Sequence, residues 1–153
     1  MKNWTRKSRV CSNSGFSLLE ILVVMSVVSM LVAGSLATFH AMKSRGALND
    51  ARSTTVRMME EARTRAMTGY GTGNHGVYVK EGSIIIFEGS EYVEGAGTEI
   101  SFSGGITTDQ TGAGIVFSRL TGLPSATITV ILSSYEGEQK SVTVTDDGAV
   151  QTD

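Results

Sequence analysis

Apolar residues fall into three regimes along this chain. From Ile21 to Phe39 the run ILVVMSVVSMLVAGSLATF holds 19 residues without a charge or a proline, and Phe16, Leu18 and Leu19 extend it backwards. A continuous run of that length predicts a membrane-spanning helix. The 24 positions from Phe16 to Phe39 make roughly 36 Å of helix, against a hydrocarbon core of about 30 Å. Small residues recur every four positions within and just beyond it, at Ser29, Ala33, Ala37 and Ala41. That stripe suits close helix-to-helix packing, and a run rich in Ala and Ser produces the same spacing by chance.

From Met42 to Thr68 the pattern changes to apolar or small residues three and four apart: Leu48, Ala51, Thr55, Met58, Ala62 and Ala66. This predicts an amphipathic helix, with Arg57–Glu61 and Glu61–Arg65 as pairs four apart on its solvated face. Gly69 fits a C-cap and is followed by the loop YGTGNHG. Apart from Gly34 and Gly46, nothing breaks the helix between the two regimes, so residues 16–68 are expected to form one rod of roughly 80 Å.

After Gly69 the apolar runs are short and rich in β-branched residues: 77–79, 84–87, 100–102, 115–117, 126–132 and 142–145. Gly, Asp and Ser clusters separate them at turn spacing, with Lys80–Gly82 and Asp146–Gly148 as hairpin turns. The expected fold class is α+β: a long N-terminal helix, first transmembrane and then amphipathic, packed on a mainly antiparallel β-sheet. The expected organisation is a basic leader (1–15), a transmembrane helix (16–42) and an extracytoplasmic domain (43–153), the last divided into a helix (43–68) and a β-rich part (69–153).

Charge sharpens this division. Residues 1–15 hold four basic groups and no acid, whereas 16–42 hold a single acid, Glu20. The basic leader keeps the N-terminus in the cytoplasm by the positive-inside rule, so the rest of the chain is expected outside. Residues 69–153 carry three basic groups and eleven acids, a balance of 3 − 11 = −8. That balance argues against nucleic acid as a partner, because phosphate backbones require clustered Lys and Arg. Cys11 is the only cysteine, so no disulfide forms within the chain.

Motifs that carry chemistry fail on context. Gly71, Gly73 and Gly76 spell GxGxxG, but a dinucleotide site needs a strand before the loop and a helix after it. Here a helix precedes and a strand follows, so a flexible loop is expected. The histidines, His40 and His75, are too far apart to form a ligand pair, and Asp109, Asp146 and Asp147 lack EF-hand spacing. Neither metal nor cofactor is expected. No serine is marked as a partner for His75, so the chain does not read as an enzyme.

Glu20 remains, a carboxylate near the start of a membrane span. A secretory signal would have a shorter apolar region, with Ser35 to Ala37 as its cleavage site. A plain uncleaved anchor explains the length but gives no reason for Glu20. The basic leader ending in Gly15, followed by FSLLEILVVM, resembles the class III signal of type IV prepilins and type II secretion pseudopilins. The resemblance implies cleavage by a prepilin peptidase between Gly15 and Phe16, methylation of the new N-terminus at Phe16, and Glu20 as the fifth mature residue, an assembly contact.

Looser features resemble one branch of that family, the H-type minor pseudopilins and their FimT/FimU-like pilus relatives. These are an ARxxA element in the helix (Ala62, Arg63, Ala66), an apolar strand ending in Phe with a glycine beyond it (Val116, Phe117, Gly122), and a closing strand pair (Val142–Thr145, then Gly148–Val150). The chain departs from many pilins in having Ala37 where a helix-kinking proline often stands. It also lacks the basic C-terminal tail of DNA-binding relatives, ending instead in DDGAVQTD.

The resemblance implies a non-enzymatic minor pseudopilin of a type II secretion pseudopilus or a related type IV filament. The alternatives are a minor type IV pilin for adhesion or competence, and a stand-alone membrane-tethered binding module. The implied partners are other pilin or pseudopilin subunits, the prepilin peptidase/methyltransferase, the inner-membrane assembly platform and, before assembly, membrane lipid. No nucleic acid is expected. The implied location is the inner membrane as a single-pass protein, then the filament.

Overall fold

The structure is a computed structural model that describes residues 16–153; among these, the side chains of residues 35–38 are not described. The chain divides into two compact units, Met1–Thr38 and Phe39–Asp153. One helix, α1, contributes to both and runs Leu18–Met67 without interruption, through Ala37, Gly34 and Gly46.

In the second unit, α1 supplies one side of the core. All six positions of the predicted stripe are buried, and Ala47 and Met59 join them. Thr55 sits in this face without leaving its hydroxyl unpaired, because Oγ1 donates to the carbonyl of Ala51 at 2.9 Å. Alanine at 51, 62 and 66 keeps the face shallow, which lets strands approach the helix backbone closely. On the solvated face Glu61 pairs with Arg65, and not with Arg57 as its equal spacing also allowed.

The helix ends where Gly69 adopts φ +66°. The amide of Tyr70 donates to the Arg65 carbonyl at 3.0 Å and that of Gly69 to Ala66 at 3.2 Å, the paired bonds of a Schellman cap. Leu120, from a distant loop, also donates to the Ala66 carbonyl at 2.8 Å, so the end of the helix is tied to the β region.

Two four-stranded antiparallel sheets pack on this helix. The strands are β1 (His75–Lys80), β2 (Ser83–Glu88), β3 (Thr98–Ser101), β4 (Thr107–Thr108), β5 (Gly114–Phe117), β6 (Ile128–Ser133), β7 (Gln139–Val144) and β8 (Val150–Thr152). The first sheet has the order β3-β2-β1-β5 and the second β4-β6-β7-β8. Both predicted hairpins form. Lys80 pairs with Ser83 across a turn whose Gly82 takes φ +72°. Val144 pairs with Val150 across the Asp146–Gly148 turn.

A single core cluster joins the helix face to both sheets, drawing on Val77, Ile84, Ile115 and Phe117 from one and Val130, Leu132, Val142 and Val144 from the other. The sheets are also joined directly, where Thr108 Oγ1 donates to the Lys80 carbonyl at 3.0 Å. The run Ile84–Phe87 departs from simple alternation because both its faces are covered. Ile84 and Ile86 enter the main core, while Ile85 and Phe87 lie under the β2–β3 connection on the opposite face.

Met59 is fully buried at the centre of this arrangement. Replacing it with alanine is expected to cost about 2–5 kcal/mol, through lost burial and the cavity left behind. Chemical denaturation of the Met59→Ala variant measures this; a loss under about 1 kcal/mol would place Met59 outside the core that holds the fold together.

Candidate functional site

Of the sequence-marked residues, Phe16 stands just before α1 and Glu20 lies in its first turn. Ser17 precedes the first helical residue, and its carbonyl accepts from the amides of Glu20 at 3.0 Å and Ile21 at 3.2 Å. Glu20 occupies the third helical position, so Ser17-Leu18-Leu19-Glu20 has the S-x-x-E spacing of a capping box. A carboxylate in this first turn also faces the positive end of the helix dipole. The S-x-x-E spacing that marks this helix start is a purely local signal in the sequence.

Every described side chain from Phe16 to Gly34 is exposed, including Phe16 at 77%, Leu18 at 84% and Met30 at 81%. Among the described residues one helix, α1, is long and apolar enough to cross a membrane. Within the small-residue stripe, Ser29 turns its hydroxyl back to the Met25 carbonyl at 2.7 Å, Ala33 is exposed and Ala41 is half-buried. Gly15 and the side chain of Ala37 lie outside the described residues.

In the folded unit, three separated sequence features meet around Arg63. Its guanidinium donates to the carbonyls of Gly148 at 2.7 Å and Asp147 at 2.9 Å, fastening α1 to the β7–β8 turn. Gly148 has φ +79°, and a Cβ there would lie 3.0 Å from the Arg63 guanidinium and 3.0 Å from the Gly122 carbonyl. A Cβ on Gly122 would in turn collide with Met67 and press on Arg63. Both glycines are therefore places where backbone passes close against the arginine. Asp147 is held below the usual carboxylate range, first by the Thr145 hydroxyl and the Ala149 amide, and to a lesser degree by the Arg63 charge. Asp109 instead ties the end of β4 to β6: its carboxylate accepts from the Ile131 amide at 2.8 Å and its own amide donates to the Ile131 carbonyl at 3.2 Å.

The loop containing Gly71 and Gly73 is not the open loop its glycines suggested. Glu88 Oε1 accepts from the amides of Thr72 at 2.7 Å and Gly73 at 3.0 Å, so the chain's own carboxylate occupies the place an anion would take. His75, expected in that loop, is instead the first residue of β1 and is buried. Its Nε2 lies 2.6 Å from the Tyr70 carbonyl, as a donor in the tautomer that carries hydrogen there.

The Thr72 and Gly73 amides hold the Glu88 carboxyl below its ordinary value of 4.5. Because the folded value is depressed, this tie is fully present above pH 4.5 and is lost as pH falls through the lower folded value. Amide NMR should show the Thr72 and Gly73 signals moving together below pH 4.5 in the wild type and staying still in Glu88→Gln. Unchanged signals in the wild type would remove the carboxylate from the loop.

Residues 11–36 match the family model of the prokaryotic N-terminal methylation motif. No curated protein and no solved structure matches the chain. The matched segment ends inside α1 and contains Gly15, Phe16 and Glu20. That motif, joined to a long helix packed on antiparallel sheets, marks this chain as type IV pilin- or pseudopilin-like.

Proposed function

We propose that this chain is a non-enzymatic structural subunit, a minor pseudopilin of a type II secretion pseudopilus or of a related type IV filament. The observation that carries the reading is the contrast along α1. Its part from Ala47 to Ala66 has a buried face in its own folded unit, whereas its part from Leu18 to Gly34 is exposed throughout and, Glu20 and two serines apart, apolar or small on every side. The part from Leu18 to Gly34 has no cover among the described residues, and lipid and then neighbouring helices supply it in turn.

The meeting of Arg63, Gly122 and Gly148 supports the H-type branch, because the features that resemble that branch form one structural joint. In this reading the peptidase cuts between Gly15 and Phe16 on the cytoplasmic side, Phe16 is methylated, and the folded unit lies outside the cytoplasm. An ionised carboxylate within hydrocarbon costs on the order of several kcal/mol unless it finds a partner. The methylated amine of one subunit still carries positive charge and neutralises Glu20 of another as the helix leaves the lipid. Small residues such as Ser29 and Ala33 let the assembled helices approach closely. The partners are other pilin-type subunits and the inner-membrane assembly platform.

Intact-mass analysis from cells with an active prepilin peptidase should give a methylated chain beginning at Phe16. A chain beginning at Met1 or Thr38 would reject the processing step. Glu20→Gln keeps a residue suited to the capping-box position and removes only the charge. It should be cleaved normally yet be depleted at least roughly tenfold from sheared filaments, an order expected for several kcal/mol of lost pairing. Normal incorporation would eliminate charge pairing, and a wild-type protein never found with filaments or other pilins would favour a tethered module acting alone.

A further inference from the structure

The sheet containing β1 and β2 has a second covered face that the main core does not use. Residues 89–97 fold back over it from the end of β2. Tyr92 stacks on Tyr78 of β1 with ring centroids 4.2 Å apart and planes at 19°. It also meets Phe87 of β2 edge-on, at 5.7 Å and 63°. Clefts of about 290, 300 and 270 Å³ open around the Tyr92 ring.

The charged groups at these clefts are Glu91, Glu94, Glu99 and Lys80, a balance of 1 − 3 = −2. Glu99 accepts from the Ser83 hydroxyl at 2.6 Å. Glu91 and Glu94 are exposed and make no side-chain hydrogen bond or ion pair among the described residues. Nearby Glu88 is committed to the Thr72–Gly73 loop. Tyrosine rings beside uncommitted carboxylates attract a cation, and a guanidinium meets both, lying flat on a ring while its N–H groups reach a carboxylate.

We propose that this aromatic cleft binds an arginine side chain presented by a different protein. Within the fold, Arg45, Arg52, Arg63, Arg65 and Arg119 are each hydrogen-bonded. Arg57 is exposed without a side-chain partner among the described residues, but it stands three and four positions from Glu60 and Glu61, whose negative charge the acidic cleft repels. A second copy is therefore the less suited source and is told apart in the test by dependence on the protein's own concentration. The site makes no use of the N-terminal helix, so it stands or falls independently of filament assembly.

The test is an NMR titration of the full chain in detergent micelles, with labelled tyrosine and phenylalanine rings, using acetyl-Gly-Arg-Gly-amide and its Glu counterpart. The Arg peptide should shift the Tyr78 and Tyr92 ring signals saturably, and the Glu peptide should not. Glu94→Gln and Glu91→Gln, both at exposed positions, should each weaken binding roughly three- to tenfold. Lys80→Gln should tighten it, and added salt should weaken it. Absence of a saturable shift, equal response to both peptides, or weaker binding by Lys80→Gln would overturn the proposal. So would ring shifts produced only by neutral oligosaccharides, or only by raising the protein's own concentration.

Discussion

The burial of one stripe of α1 beneath two sheets is the contact on which the folded unit depends. Leu48, Ala51, Thr55, Met58, Ala62 and Ala66 lie along one face at three- and four-residue steps, and strands of both sheets join the same core cluster. Neither sheet could hide its apolar face without the helix. Small side chains at 51, 62 and 66 set how close the layers come, and larger residues there would force the layers apart. The Schellman cap at Gly69, the Leu120–Ala66 bond and the Arg63 clasp then fix where the helix stops relative to the strands.

The same helix meets two different environments along its length, and its side chains divide accordingly. Before Thr38 it is apolar all round, which suits lipid or other helices but not water. After Phe39 it is amphipathic, with ion pairs such as Glu61–Arg65 and Arg45–Glu138 outside and alanines inside. Glu20 is the exception in the first part. It stands in the first turn, at capping-box spacing from Ser17 and beside the positive end of the helix dipole. In the proposed assembly it also serves as the partner of an amine.

The glycine-rich loops illustrate how strongly local composition underdetermines structure. GTGNHG has the spelling of a phosphate loop, yet Glu88, from the far end of β2, fills its amides. His75 reads as a loop residue until β1 is seen to start there, paired on one side with Glu88 and on the other with Phe117. In the same way, the Ile84–Phe87 run signals a strand but gives no hint that both its faces are buried. Only the return of residues 89–97 explains that burial.

The sequence by itself determined the long helix and the main strand-forming runs, the switch from a 3.6-residue to a 2-residue period after Gly69, the hairpin turns, and the signal around Gly15, Phe16 and Glu20, but neither the short β4 nor the division of the strands into two sheets. These are local properties, carried by spacing within a few residues, so they survive without knowledge of the fold. Tertiary structure alone decided that Arg63 meets Gly122 and Gly148, that Glu61 pairs with Arg65 in preference to Arg57, that Glu88 closes a distant loop, and that Tyr92 stacks on Tyr78. Each of these outcomes except the Glu61 pairing joins residues more than ten positions apart. Which partner is reached depends on how the layers pack, and the physical reason is that close packing selects one arrangement among many that local preference allows equally.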